Sequence, residues 1–313
     1  MSESLPKLVV LLGPTASGKT GLSLQLAKQF DGEIISADSR QIYKKMDIGT
    51  AKALGEWHLA FGWSGPRRTY FVEDVPHHLV DFLNPGKRFT VAQFRDKAIK
   101  YGKMAHQAGK IPMIVGGTGL YISSIVDNLY IPRVPPNKAL RESLEQKTTE
   151  ELMQLLSSMD PVAVQTIDVK NKRRIIRALE VCIFTGESFS GQKKKGTPVF
   201  DILQLGIRVD KETLYQRIDT RVDQMVQDGL EEEIRGLLKQ KYSWDLPSMS
   251  GIGYRQFRAY IEGIQSFEDA VAELKRDTRR FAKRQSTWFK RDKRIIWVDT
   301  YDEAVALATQ FLS

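Results

Sequence analysis

Apolar positions along the chain fall into two patterns. Short runs at 8–12, 33–37, 112–115, 203–209 and 294–298 are rich in Leu, Ile and Val and read as strands. The stretches between them carry apolar residues at spacings that suit helices, as Leu22, Leu24, Leu26 and Ala27 do after the first run. Strands alternating with helices predict a parallel α/β sheet whose ligands sit at the carboxyl ends of the strands. Three of the runs precede residue 118 and the other two follow 202. The charged, mostly helical segment between them opens on "IPRVPP" and closes on "KKKGTP". Residues 134–197 are therefore expected to form an inserted helical subdomain on Pro- and Gly-marked hinges, with 1–133 and 198–313 as the core domain. The stretch "LGEWHLAFGWSGPRRTYFVED", residues 54–74, has no helical period and reads as a long loop or hairpin.

Between the first strand and the first helix lies "GPTASGKT", an instance of G-x-x-x-x-G-K-[ST]. Gly13, Pro14, Thr15, Ala16, Ser17 and Gly18 form a loop whose N–H groups point at an anion, at the positive end of a helix dipole. Lys19 adds a full charge, and the Thr20 hydroxyl is placed to ligate Mg²⁺. The fold class that follows is a P-loop NTPase-like parallel sheet flanked by helices, with the helical insert. The motif requires a phosphate but does not choose between ATP and another diphosphate.

Asp38 stands at the end of the second run, in "EIISADSRQIYKKMDIGTAK", where its carboxylate would face the phosphate loop. It suits a Mg²⁺ ligand or a general base, and a cap on the following turn is the alternative. Ser39, Arg40 and Gln41 follow and are candidates to contact the same substrate. After the third run, "VGGTGLYI" sets a tight turn at Gly116 and Gly117 and presents the Thr118 hydroxyl and N–H at a helix start. Arg217 and Arg221, four residues apart on one helical face, are phosphate ligands or solvated surface charges.

Charge sharpens the picture. With 47 basic and 38 acidic residues the chain carries a net +9, which suits a polyanionic partner. The excess is clustered. Arg173, Arg174 and Arg177 lie in the insert, and "KRDTRRFAKRQSTWFKRDKR", 275–294, holds ten basic residues with Trp288 and Phe289 among them. Basic side chains neutralise nucleic-acid phosphates while aromatics stack on bases; a solvated helix face is the plain alternative. The lone Cys182 excludes an internal disulfide framework or a Cys-rich zinc site and reads as core. His58, His77, His78 and His106 lack metal-ligand spacing. No run is long enough for a membrane span and no signal-peptide pattern opens the chain, so a soluble cytoplasmic protein is expected.

In order, the segments GPTASGKT, "ISADSRQIYKKMDIGTAK", "VPHHLVD", "GKIPMIVGGTGLYI", "RRIIRALEV", "LPSMSGIGYRQF" and "KRQSTWFKR" resemble the tRNA dimethylallyltransferase (tRNA isopentenyltransferase) family over nearly the whole chain. The resemblance implies transfer of a dimethylallyl group from dimethylallyl diphosphate to the exocyclic amine of the adenosine beside the anticodon. It implies that residues 13–20 hold the diphosphate with Mg²⁺ at Thr20, that Arg221 assists, and that Asp38 is the general base. It further implies tRNA contacts, with the anticodon stem-loop, from Asp38, Ser39, Arg40, Gln41, Thr118, Arg141, Arg173, Arg174, Ile175, Ile176, Arg177, Gly253, Tyr254, Arg255, Lys283, Arg284 and Gln285. A monomer is expected. The residues from Ala53 to Val75 depart from the family, which commonly joins GTAK to PHH in about ten residues. One cysteine and an end at Ser313 leave no C-terminal zinc finger of the kind that nuclear and mitochondrial members often carry, so a bacterial form is expected. The rival readings are a nucleotide kinase with an Arg-rich lid, a non-enzymatic RNA-binding protein, and a prenyltransferase acting on free adenine nucleotides.

Overall fold

The run at 8–12 shows no alternation because both faces of its strand are covered. Strand β1 (Lys7–Leu12) pairs in parallel with a strand on each side, and Leu8 to Leu12 are at most 1% exposed. The computed structural model describes residues 4–62, 65–192 and 195–313. Among the described residues the sheet continues with β2 (Gly32–Ser36), β3 (Glu56–Gly62), β4 (Gly65–Val72), β5 (Val75–His78), β6 (Ile111–Gly116), β7 (Asp201–Ile207) and β8 (Ile296–Val298). Their order is β3-β4-β5-β2-β6-β1-β7-β8, parallel except where β4 meets β3 and β5. Helices α1 (Lys19–Gln29), α2 (Val91–Gln107) and α3 (Gly119–Val126) belong to the first half of the chain. Next come α4 (Lys138–Glu145), α5 (Thr149–Met159), α6 (Pro161–Thr166) and α7 (Lys172–Thr185), then α8 (Lys211–Gln227), α9 (Leu230–Lys239), α10 (Arg258–Ile261), α11 (Phe267–Phe289) and α12 (Tyr301–Leu312).

The stretch 54–74 takes the hairpin form. Strands β3 and β4 pair from Glu56 against Phe71 to Gly62 against Gly65, with residues 63 and 64 outside the described set. Strand β5 joins them to β2 and buries two histidines, which an apolar pattern cannot announce. His77 Nδ1 donates to the Val75 carbonyl at 2.9 Å, and burial pushes its pKa down to about 4. His78 Nε2 donates to Glu33 at 2.6 Å while its ring stacks on Tyr101, 4.5 Å away. Arg67 of the hairpin reaches the same Glu33 carboxylate at 3.4 Å, so hairpin and sheet share one ion cluster.

Residues Val126–Pro198 form a separate compact unit. It starts before the expected residue 134 because its two ends pair: Asn128 Nδ2 donates to the Thr197 carbonyl at 2.6 Å and Leu129 bridges Lys195. Residues 193 and 194 of the expected insert lie outside the described set. Its core comprises Leu144, Leu152, Leu156, Ile175, Ile176, Leu179 and Cys182. Ile175 and Ile176 are 0% and 3% exposed, which corrects the expectation that they touch tRNA: they are the packing face of α7. The fully buried Glu180 accepts a two-pronged pair from Arg141, at 2.9 and 2.7 Å, and a bond from Arg177 at 2.5 Å. Burial alone would raise its pKa, but the Arg141 bonds, the Asn137 N–H and Arg177 hold it at about 2. Arg141 and Arg177 thus lock α4 and the 132–134 segment onto α7, while Arg173 and Arg174 remain exposed.

In the other unit a second core cluster joins the 42–46 and 249–257 segments to α8, α9 and α11. Tyr254 is its largest fully buried side chain, which removes it from the expected tRNA surface. Its hydroxyl donates to Glu233 at 2.8 Å. The same carboxylate accepts the successive N–H groups of Asp47, Ile48 and Gly49 at 2.7, 2.8 and 3.0 Å. Removing it takes the acceptor from the buried phenol and from the Ile48 and Gly49 N–H groups, while the exposed Asp47 N–H turns to water. Glu233→Ala is expected to lower unfolding free energy by about 2–4 kcal/mol in urea titration, and Tyr254→Phe by about 1 kcal/mol.

Candidate active site

The carboxyl ends of β1, β2 and β6 each release a loop into one cleft of about 620 Å³. The first is the phosphate loop. Gly18, at φ 93°, turns the chain left-handed so that α1 begins directly at Lys19. The Lys19 ammonium folds back on its own loop, 2.5 Å from the Pro14 carbonyl and 3.5 Å from Ser17 Oγ. Desolvation there pulls its pKa down to about 7, with Asp38 opposing and Arg221 adding to the fall. Those three groups, far apart in sequence, therefore share one field. Burial also lowers the pKa of Arg221. Of the arginine pair, Arg221 faces this cleft. Arg217 is exposed and lines an adjoining hollow of about 1010 Å³, which meets the cleft across Arg221 and Met225.

The second loop carries Asp38, two residues past β2. Its Oδ1 accepts the Arg40 N–H at 2.7 Å and the Gln41 N–H at 3.3 Å, so Asp38 does cap the next turn. Those bonds fix Oδ1, and Asp38 still lines the cleft. Capping and a role in the cleft are compatible. The third loop answers the second: Ser39 N–H donates to Thr118 Oγ1 at 3.1 Å, and Thr118 N–H to the Ala37 carbonyl at 3.1 Å.

The remaining walls come from α8 and α11 and from the 249–255 segment. Ser39, Arg40, Gln41, Thr118, Gly253, Arg255, Arg284 and Gln285 all border the cleft. Arg255 is also ion-paired to Asp277 at 2.9 Å, and Lys283 is exposed on α11. Two groups that the sequence did not single out, Glu233 and Lys52, hold the site's frame together with Gln41, which it did. Glu233 hooks the 47–49 turn. Buried Lys52 donates to the Tyr43 carbonyl at 2.7 Å, Asp47 at 2.5 Å and Asp81 at 2.7 Å. Gln41 ties the same segment down through the Thr50 and Ala51 carbonyls, at 3.3 and 3.1 Å. Lys52 ends the family-like segment at GTAK and is flanked by short apolar residues, and neither signal marks it as a frame residue.

A model described as IPP transferase matches residues 41–292, and one described as isopentenyl transferase matches 6–73. The chain belongs to the IPP transferase family. A tRNA dimethylallyltransferase of Carboxydothermus hydrogenoformans is 43% identical over 317 aligned residues, covering 99% of this chain and 96% of that one. One of Roseiflexus castenholzii is 44% identical, covering 92% and 91%. Among solved structures, the full-length tRNA isopentenylpyrophosphate transferase of Bacillus halodurans superposes with a TM-score of 0.69 at 36% identity, over 98% of this chain and 95% of its own. A eukaryotic dimethylallyltransferase acting on tRNA gives 0.81 at 26% identity, over 98% and 79%.

For this IPP transferase the depressed Lys19 pKa has a signed consequence. In the free protein Lys19 is half-protonated near pH 7 and loses its proton above that. A bound diphosphate favours the ammonium, so binding above pH 7 draws in a proton and affinity falls as pH rises. Calorimetry of inorganic diphosphate with Mg²⁺ at pH 8, in buffers of different ionisation enthalpy, should register proton uptake that disappears in Lys19→Arg.

Proposed function

We propose that this chain transfers a dimethylallyl group from dimethylallyl diphosphate to the exocyclic amine of the tRNA adenosine 3′-adjacent to the anticodon, giving isopentenyladenosine and diphosphate. The observation that carries this reading is the joint field of Lys19, Arg221 and Asp38 in one cleft at the strand ends. An aromatic amine is a weak nucleophile, so catalysis rests on the leaving group. The loop N–H groups, Lys19 and Arg221 stabilise charge on the diphosphate as the allylic C–O bond breaks. Asp38 takes the amine proton as the C–N bond forms. The adenine must leave its stack to reach the cleft, which costs least in a single-stranded loop.

Among the described residues no group of three or more His, Cys, Asp or Glu is placed to hold a metal. Thr20 lines the cleft at the start of α1. A Mg²⁺ held by its hydroxyl together with substrate phosphate oxygens fits that donor set. It would supply further neutralisation of the leaving charge. No helix among the described residues is long and apolar enough to cross a membrane. The exposed Arg173, Arg174, Lys283 and Arg284 are the proposed tRNA phosphate contacts, in keeping with the net charge of +9.

With unmodified tRNA, Mg²⁺ and labelled dimethylallyl diphosphate, diphosphate should appear one-for-one with prenylated adenosine, and ATP should not accelerate it. Asp38→Asn should slow the single-turnover step by about 10²–10⁴-fold with tRNA affinity little changed. ADP formed in step with turnover would favour the kinase instead. If Arg174 contacts a phosphate, Arg174→Ala should weaken tRNA binding and flatten its salt dependence by about one unit of slope, leaving diphosphate affinity near wild type. Filter binding across a salt series reads this directly.

A further inference from the structure

Helix α11 turns a strongly basic face outward, with Lys283 and Arg284 exposed and Trp288 41% exposed. Gln285 lies in the middle of this run but points the other way. It is 7% exposed, on the inner line of α11 with Ala282 and Phe289, which are 0% and 2% exposed. Both ends of its amide are engaged across the cleft. Oε1 accepts the Thr15 N–H of the phosphate loop at 2.8 Å, and Nε2 donates to the Gly117 carbonyl at 2.9 Å. A side chain at 117 would meet this amide, since a Cβ there would lie 2.2 Å from Nε2.

Only an amide of this length serves both partners. A carboxylate would set oxygen against the Gly117 carbonyl, and a lysine would set a donor against the Thr15 N–H. Turning the amide over reverses both bonds, so its orientation is fixed. Gly117 adjoins Thr118, whose hydroxyl holds the Ser39 N–H beside Asp38. One side chain thus spans the loop proposed to hold the leaving group and the loop that braces the proposed base.

We propose that Gln285 is a positioning residue that sets the separation between the phosphate loop and the Asp38 loop, and that it is not an RNA contact. The inference rests on the prenyl-transfer reading for its kinetic arm only. A misplacement of about 1 Å between reacting groups lowers rates by about 10²-fold. Gln285→Met keeps the length and removes both hydrogen bonds. It should slow single-turnover transfer by about 30–300-fold and weaken inorganic diphosphate binding by about 3–10-fold, with tRNA affinity and its salt slope near wild type.

Gly117→Ala, which pushes the amide from the opposite side, should reproduce that pattern. The double variant should be little worse than either single one, because both break the same bridge. Thermal melts restrict the comparison to folded protein. If Gln285→Met does not fold, Gly117→Ala alone decides the matter. Loss of tRNA affinity with rate and diphosphate binding intact would make Gln285 an RNA contact and overturn the proposal. So would additive effects in the double variant, or no effect at all. Should wild-type protein transfer no prenyl group, the function reading fails, while the diphosphate-binding arm still tests the bridge.

Discussion

An ammonium partly withdrawn from water near a guanidinium, with the Asp38 carboxylate to offset them, is an arrangement that folding works against. Lys19 falls to about 7 because desolvation outweighs Asp38 and Arg221 adds to the cost. Between that value and the ordinary 10.5 the unfolded chain binds more protons than the folded one. On this account stability rises with pH across that window, and the full cost of the buried charge is borne below it. The rest of the core unit supplies the stability that tolerates this. Strand β1 is covered on both faces, and parallel neighbours carry the three loops to one level. A cation so placed gains when an anion arrives, as the proposed role toward a departing diphosphate requires.

Carboxylates do the complementary work of fixing backbone. Asp38 takes two N–H groups of the turn that follows it, and Glu233 takes three in a row from the 47–49 turn. In the other unit Glu180 takes the Asn137 N–H and two guanidinium groups. Each is an acceptor set among several donors, most of them at least partly withdrawn from water, so loop geometry is held without regular secondary structure.

Much of this could be read from the letters. The P-loop spacing in its strand–helix setting located the turn between β1 and α1 that opens on the cleft, and apolar runs located five strands, most clearly β1, whose parallel neighbours help bury both faces. The run that became β5 was not visible, since two of its three buried residues are histidines, satisfied by the Val75 carbonyl and Glu33. Strand β3 alternates Trp57 and Leu59 with polar neighbours at an edge, too mixed a pattern to separate a hairpin from a loop. Ile175, Ile176 and Tyr254 lie inside segments that resemble the family, but their burial depends on partners such as Leu152 and Glu233 that are distant in sequence. Arg141 entered only as a tRNA contact implied by the resemblance, because Glu180, 39 residues away, could not be paired with it in advance. The inward turn of Gln285 did leave a trace: its spacing from Ala282 and Phe289 is that of one helical face.

Cys182 is the sole cysteine of the chain, and it is sealed in the core of the 126–198 unit, where burial pushes its thiol pKa up. A buried thiol held in its protonated form is a poor nucleophile toward maleimides and similar reagents. The native chain is therefore a silent background for thiol-directed chemistry. One cysteine introduced in each unit would carry a spin label or a fluorophore at a known address, and the distance between the two labels would follow the units through a catalytic cycle without first engineering a cysteine-free protein.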